Sequence, residues 1–168
     1  MTTPASPEDP VLASIKANVV FEKMIVSVLT VAGVSGAAHL LINAGAALAA
    51  GRLGAGEVGI ALLNAATFTL LFFFIAFAAA VAVGVPLYLQ MERMKIRKAW
   101  PYAAAAALVS VAVLTAVGAA PAFEAPERAL YLVPGIAAAL VFARKMTPFW
   151  RIAERMDNAP PSAVMRLH

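Results

Sequence analysis

The stretch MIVSVLTVAGVSGAAHLLINAGAALAAG, residues 24–51, holds 28 consecutive residues without a charged side chain. An α-helix needs about 20 predominantly apolar residues to cross a hydrocarbon core about 30 Å thick. This stretch is therefore long enough to form a transmembrane helix. His39 and Asn43 lie inside it, so the sequence raises the question of whether these polar residues serve a function or only join helices.

Three further uncharged intervals follow the first one. They cover residues 58–91, 99–123 and 129–143, with 34, 25 and 15 residues. The last interval rises only about 22 Å at 1.5 Å per residue. The flanking Arg128, Arg144 and Lys145 can extend it, because long basic side chains run along apolar surface while their charges reach the headgroups. The sequence therefore predicts an all-α membrane protein with four transmembrane helices.

The composition supports this class. Hydrophobic residues make up 62% of the 168 residues and charged residues only 13%, whereas soluble domains average about 45–50% and about 25%. The chain has no cysteine, which excludes disulfides, iron–sulfur clusters and thiol catalysis. The net charge of +4 sits in short loops next to the membrane, so it does not predict nucleic-acid binding.

The placement of basic residues predicts the orientation of the four helices. With four spans, both termini and the central loop share one side, and Arg52 and Arg128 are the basic residues on the other. The first side carries eleven: Lys16, Lys23, Arg93, Lys95, Arg97, Lys98, Arg144, Lys145, Arg151, Arg155 and Arg166. Cytoplasmic loops carry an excess of Lys and Arg. Both termini are therefore predicted to be cytoplasmic.

The chain divides into three predicted segments. Residues 1–23 form a disordered start and a short interfacial helix that begins at Pro10, with Asp9 as its cap. Residues 24–147 form the single transmembrane domain, in which Gly84 and Pro86 kink or end the second span. Residues 148–168 form a cytoplasmic tail with a short interfacial stub. A cleavable signal is the alternative for the first span, but its leading segment is long and carries acidic residues.

A set of polar residues in the first two spans is the first candidate site. Ser35, His39 and Asn43 are spaced by four and share one helix face. Asn64 and Thr67 lie at a similar depth in the second span, and we call these five residues the polar seam. One interpretation is that an Asn43–Asn64 hydrogen bond joins the two helices. The other is that His39 lines a polar cavity or relays a proton.

The remaining sequence shows no set of residues that suits catalysis. No uncharged interval contains Asp, Glu, Lys or Arg, which argues against ion-coupled transport. No carboxylate pair suits acid–base chemistry, and two histidines make no metal site. The glycines show no phosphate-binding pattern followed by lysine. We therefore expect no enzyme activity, no cofactor and no metal.

Two other patterns predict partners. The basic residues next to the spans are expected to contact anionic lipid headgroups: Arg93, Lys95, Arg97, Lys98, Arg144 and Lys145. Small residues recur every four positions in the first span, as in Ala32/Gly36 and Gly33/Ala37, so neighbouring helix backbones can approach closely. This spacing favours packing against other membrane subunits or self-association.

Four motifs follow one another in the second half of the chain: GVPLYL from Gly84, the basic run to Lys98, the WPY of residues 100–102 and PGIAAALVFARK from Pro134. In these motifs, roughly residues 78–146 resemble small uncharacterised four-span inner-membrane proteins of proteobacteria. The resemblance implies a helical bundle in the inner membrane of a bacterial cell and no particular activity.

These features leave three hypotheses, of which a membrane enzyme ranks third, because the sequence shows no catalytic set of residues. The first is a non-catalytic accessory or assembly subunit that packs through small-residue helix faces. The alternative is a pore-forming protein or small carrier, holin-like, in which His39, Asn43 and Asn64 form a polar path through the membrane.

Overall fold

A computed structural model describes residues 10–52, 54–116 and 131–158. The elements that it contains there, in chain order, are helices α1 (Pro10–Ala49) and α2 (Ala55–Ala79), a π-helical segment (Ala80–Gly84), and helices α3 (Val85–Arg93), α4 (Trp100–Ala116) and α5 (Val133–Asp157). These described residues form no strand. The prediction of an all-α protein is confirmed.

Two stretches are long and apolar enough to cross a membrane, Lys16–Ala49 and Ala55–Arg93. α1 has 40 residues, about 60 Å at 1.5 Å per residue, which is twice the thickness of a hydrocarbon core. α4 is apolar but shorter, with 17 residues. α5 is apolar in its first half and basic in its second.

The helix ends differ from the predicted segment boundaries. No break separates an interfacial helix from the first span, because α1 is continuous from Pro10 to Ala49. α5 likewise runs through Pro148 to Asp157, with no separate stub. The start of α1 and the end of α5 both carry side chains that pack together at one end of the bundle, such as Val20 and Trp150. These tertiary contacts favour unbroken helices there. Asp9, the predicted cap, lies outside the described residues.

The second long helix changes its winding just before Pro86. The N–H of Val85 donates to the carbonyl of Ala80, five residues back, and the segment between them is π-helical. Proline lacks an N–H and crowds the carbonyl four residues before it, which here is that of Ala82. A wider turn moves this carbonyl away from the ring. The predicted irregularity at Gly84 and Pro86 therefore takes the form of a π-helical segment, and α3 continues beyond it.

α1 ends in a glycine turn that leads directly to α2. Gly51 has a φ of +66°, which glycine adopts without steric cost. The N–H of Arg52 donates to the carbonyl of Ala47, and that of Gly51 to Leu48, both at 2.9 Å. This pair of bonds is the Schellman motif. The turn is short, so α1 and α2 lie side by side in opposite directions.

The helices pack in the order α2, α1, α5, α4. α1 contacts α2 along much of its length and also contacts α5, which contacts α4. α4 approaches the second long helix mainly at the π-helical segment. Two close approaches depend on glycine: a Cβ at Gly36 would collide with Thr69 of α2, and one at Gly135 would collide with Ser110 of α4.

Large buried side chains are concentrated at one end of the bundle, which we call the packed end. It consists of Val20, Met24, Tyr88, Tyr102, Phe142, Ala143, Met146 and Trp150. The opposite half, toward the α1–α2 turn, is called the open end. Its buried residues in α2 are the alanines Ala61 and Ala65. Aromatic packing therefore orders one end only.

Candidate functional site

A cavity of about 330 Å³ lies between α2 and α4, where these two helices separate. α1 and α5 contribute its remaining walls, through residues such as Val28 and Ala138. Met24, Gly84 and Phe142 line it next to the packed end. The separation follows from the packing order, because α4 meets the second long helix mainly at the π-helical segment.

The lining of this cavity is almost wholly apolar. α2 supplies phenylalanine, leucine, isoleucine and alanine side chains, and α4 supplies alanine and valine. The polar side chains in the lining are Ser27, Ser110 and two tyrosines, Tyr102 and Tyr131. The Ser27 hydroxyl donates to the carbonyl of Lys23 at 2.6 Å, so its proton is already used. Among the described residues, no charged side chain lines the cavity.

The structure brings three residues of the polar seam together and leaves two apart. Ser35, His39 and Asn43 are half-buried on one face of α1, whereas Asn64 and Thr67 are exposed on α2. The Asn43 amide nitrogen donates to the carbonyl of His39 at 2.7 Å. Within the described part of the chain, the expected Asn43–Asn64 bond is not formed: Asn64 is exposed, and the Asn43 amide is already bonded within α1.

His39 contacts an aromatic ring rather than a polar group. Its imidazole stacks on Phe68 of α2, with ring centroids 4.9 Å apart and an interplanar angle of 12°. Phe68 also lines the cavity. The contact between α1 and α2 in this region therefore uses a flat stacked pair, with Gly36 against Thr69 one turn away. Thr69 was missed in the sequence, although Ala61, Ala65 and Thr69 share a face by their spacing of four.

A layer of ion pairs lies beside the packed end. The Arg97 guanidinium donates to Asp157 of α5 at 2.8 Å and lies 3.8 Å from Glu92 of α3. Glu92 also accepts a hydrogen bond from Lys16 of α1 at 2.8 Å. The pairs connect the start of α1, the end of α3 and the end of α5. Lys95 adds a longer contact of 3.5 Å to Asp157.

Arg97 differs from the other residues predicted to contact lipid headgroups. Its side chain is only 7% exposed, and its charge is paired within the chain. Its Nε is a buried nitrogen that lacks a hydrogen-bond partner among the described residues. The cause is the return of α5 to this loop, which places Asp157 beside it. Of the remaining five, Arg93, Lys95, Lys98 and Arg144 are exposed and Lys145 is half-buried, so headgroup contact stays a prediction for them.

Other chemistry finds little support among the described residues. They contain no group of three or more His, Asp or Glu side chains placed to hold a metal. The arrangement instead offers apolar surface, one apolar cavity and ion pairs at one end.

Comparisons with known proteins add no family. The chain matches no protein family, and neither a curated protein nor a solved structure is significantly similar to it.

Proposed function

We propose that this protein is a non-catalytic accessory or assembly subunit of a bacterial inner-membrane complex. In this proposal four helices span the membrane: α1, the long helix from α2 to α3, α4 and the first half of α5. The residues around the ion-pair layer lie at the cytoplasmic face, and both termini are cytoplasmic.

The distribution of charge supports this orientation. At the packed end the described helices and loops carry most of the basic residues, including Lys16, Lys23, Arg93 and Lys98, whereas the α1–α2 turn carries Arg52. Basic residues are enriched on the cytoplasmic side of membrane proteins. α1 and the α2–α3 helix are both about 60 Å long. We infer that each crosses the bilayer and continues into the cytoplasm, where the ion pairs join them.

The observation that carries the proposal is an uncovered face of α1. Leu29, Gly33, Ala37 and Leu41 are spaced by four, and all four are exposed. A Cβ at Gly33 would have nothing within 4 Å. Small residues flanked by leucines form a notch into which the backbone of another helix can pack. We call these four residues the outer face and infer that a partner helix covers it.

The inner face of the same helix shows what such a contact looks like. Ala32 and Gly36 follow the same spacing of four and are buried, and Gly36 lies against Thr69 of α2. The chain thus uses one small-residue pair internally and leaves the other, Gly33 and Ala37, available. This pairing favours an assembly role over a solitary one.

A pore or small carrier remains the second candidate, and the cavity weighs against it. A conduction path for ions or water needs polar groups along its length. The cavity lining is apolar, and His39 stacks on Phe68 instead of facing a polar partner. The polar seam therefore supports this candidate less than the sequence alone did.

The proposal predicts that Gly33→Leu weakens assembly without unfolding the protein. The native mass and the co-purified proteins would be measured in mild detergent for the wild-type chain and for Gly33→Leu. A leucine fills the notch, so we expect association to fall about tenfold, the change that 1.4 kcal/mol produces. Thermal stability of the separated chain should be unchanged.

Gly45→Leu provides the matched control. It is the same substitution on the same helix, about 120° around the helix axis from Gly33, and a Cβ at Gly45 also has nothing within 4 Å. Association should be retained. A wild-type protein that purifies alone as a monomer, or equal association in both variants, would refute the assembly role through this face.

A further inference from the structure

The cavity between α2 and α4 has a volume of about 330 Å³ and is open on one side. An α-helix with its side chains is about 10–12 Å in diameter, whereas a hydrocarbon chain is much narrower. A hydrocarbon chain therefore needs less separation of α2 from α4 than a partner helix would.

The chemistry of the lining disfavours a polar occupant. A buried water needs two to four polar partners, whereas the lining has two serines and two tyrosines among apolar side chains, and the Ser27 hydroxyl already donates to Lys23. An ion would lose its hydration against alanine, valine and phenylalanine side chains without compensation. The described lining has no charged group to receive one. An apolar occupant matches the uncharged walls, and the volume is within the range of small-molecule sites.

The position of the cavity identifies where an occupant comes from. Its lining on α2 runs from Phe68 to Gly84 of the π-helical segment, inside the uncharged stretch that is long enough to span a membrane. Its lining on α4 belongs to the apolar helix Trp100–Ala116. The gap between these two helices therefore faces the bilayer interior, and a membrane hydrocarbon chain reaches it sideways without crossing water.

We propose that this cavity binds one hydrocarbon tail of a membrane lipid between α2 and α4. The tail takes the place of the direct contacts that these helices lack, since a filled cavity restores the dispersion contacts that an empty one loses. α2 and α4 are then joined by protein contacts at the π-helical segment and by the lipid tail along the rest of the cavity. The inference rests on the membrane placement proposed above and is independent of the outer face.

The test compares substitutions inside and outside the cavity. Ala76 of α2 and Ala106 of α4 line it, whereas Ala78 and Ala104 lie outside it and are exposed. Each full-length chain would be reconstituted in vesicles of phosphatidylethanolamine and phosphatidylglycerol, extracted in detergent, and analysed by native mass spectrometry. A phenylalanine at position 76 or 106 fills the space of the tail. Ala78→Phe and Ala104→Phe add the same ring elsewhere.

The expected result is one retained phospholipid per wild-type, Ala78→Phe or Ala104→Phe chain. Ala76→Phe and Ala106→Phe should retain at least about tenfold less. A second set of vesicles contains an isoprenoid alcohol as well, and replacement of the phospholipid by that alcohol would identify an isoprenoid tail instead of an acyl tail. Equal retention in all four variants, or no retention by the wild type, would overturn the proposal.

A second measurement covers the case in which the lining variants unfold. A phosphatidylglycerol with a diazirine in its acyl chain would be cross-linked to the wild-type protein after detergent extraction. Cross-links at Ala106 and Ala76 support the site, whereas cross-links only at Ala104 and Ala78 contradict it. Gly33→Leu separates this inference from the assembly role, because it should lower association and leave lipid retention unchanged.

Discussion

The packed end and the open end of this bundle are held together in different ways. At the packed end Tyr102 lies between Phe142 and Trp150, with ring centroids 5.5 and 5.9 Å apart. At the open end Gly36 meets Thr69, and the buried residues of α2 are alanines. Aromatic rings bury about 150–250 Å² each, far more than alanine does. The difference indicates that aromatic packing stabilises the packed end. The open end depends on the close approach of helix backbones and on whatever covers its exposed apolar side chains.

This contrast has a physical reason. Between helices in lipid there is no hydrophobic driving force, because lipid tails are as apolar as leucine, so close packing of small residues takes over. In the membrane placement proposed above, α1, α3 and α5 extend toward water at the packed end, where apolar side chains gain by leaving it. Large side chains such as Trp150 and Met146 therefore collect at the packed end. The same argument explains why a gap between α2 and α4 persists inside the apolar region.

The largest expected effect comes from removing Trp150. Its side chain is 6% exposed and stacks on Tyr102. Deletion of a buried tryptophan side chain removes apolar contacts and leaves a cavity, which costs about 3–5 kcal/mol. Trp150→Ala should therefore lower the unfolding temperature in detergent more than any other variant discussed.

Trp100→Ala is the matched control for Trp150. Trp100 is 65% exposed at the start of α4, so its removal should change stability by about 0.5 kcal/mol or less. Similar losses in the two variants would mean that the packed end is not the stable part of the bundle.

An intermediate effect is expected at Gly36, the close contact of the open end. Leucine there would collide with Thr69, and overpacking costs about 1–3 kcal/mol. Gly36→Leu should lower thermal stability and separate α1 from α2, measured as a longer distance between spin labels on the two helices. Gly33→Leu lies three residues away, on the outer face, and should leave both quantities unchanged. If Gly36→Leu were as stable as Gly33→Leu, the open end would not depend on this approach.

Part of this architecture could be predicted from the sequence. The uncharged intervals and their lengths predicted helices, and the structure has long apolar helices over the first two of these intervals. The spacing of Ala32 and Gly36 correctly indicated a close contact, but it did not distinguish this pair from Gly33 and Ala37. A spacing of four defines a face of a helix. Which face meets a neighbour depends on tertiary packing.

The candidate site was less predictable. Asn43 and Asn64 have matching depths in the sequence, yet Asn64 is exposed and the Asn43 amide donates to the carbonyl of His39. Arg97 has the same local pattern as its exposed neighbours, and only the return of α5 pairs it with Asp157. The cavity has no local signal at all, because it results from the order in which four helices pack. Contacts between segments that are far apart in the sequence determine these three features.

The smallest expected effect concerns Asp157, whose carboxylate is part of the ion-pair layer. The hydrogen bond from Arg97 lowers the pKa of Asp157 below its ordinary value, and the nearby charges of Lys95 and Arg97 act in the same direction. A carboxyl whose pKa is lower in the folded state stabilises the fold above its unfolded pKa, about 3.9. That contribution is lost as the pH falls below about 4 and the carboxylate takes up a proton.

The measurement is the unfolding temperature in detergent from pH 7 down to pH 3 for wild type and Asp157→Asn. The variant lacks this contribution at every pH, so the two curves should differ at pH 7 and converge toward pH 3. We expect a difference of about 3 °C at most, since Asp157 is the exposed member of the pair and water screens its charge. Glu154→Gln removes an exposed carboxylate from the same helix and should follow the wild-type curve. Parallel curves for wild type and Asp157→Asn would mean that the Arg97–Asp157 pair does not link the loop after α3 to the end of α5.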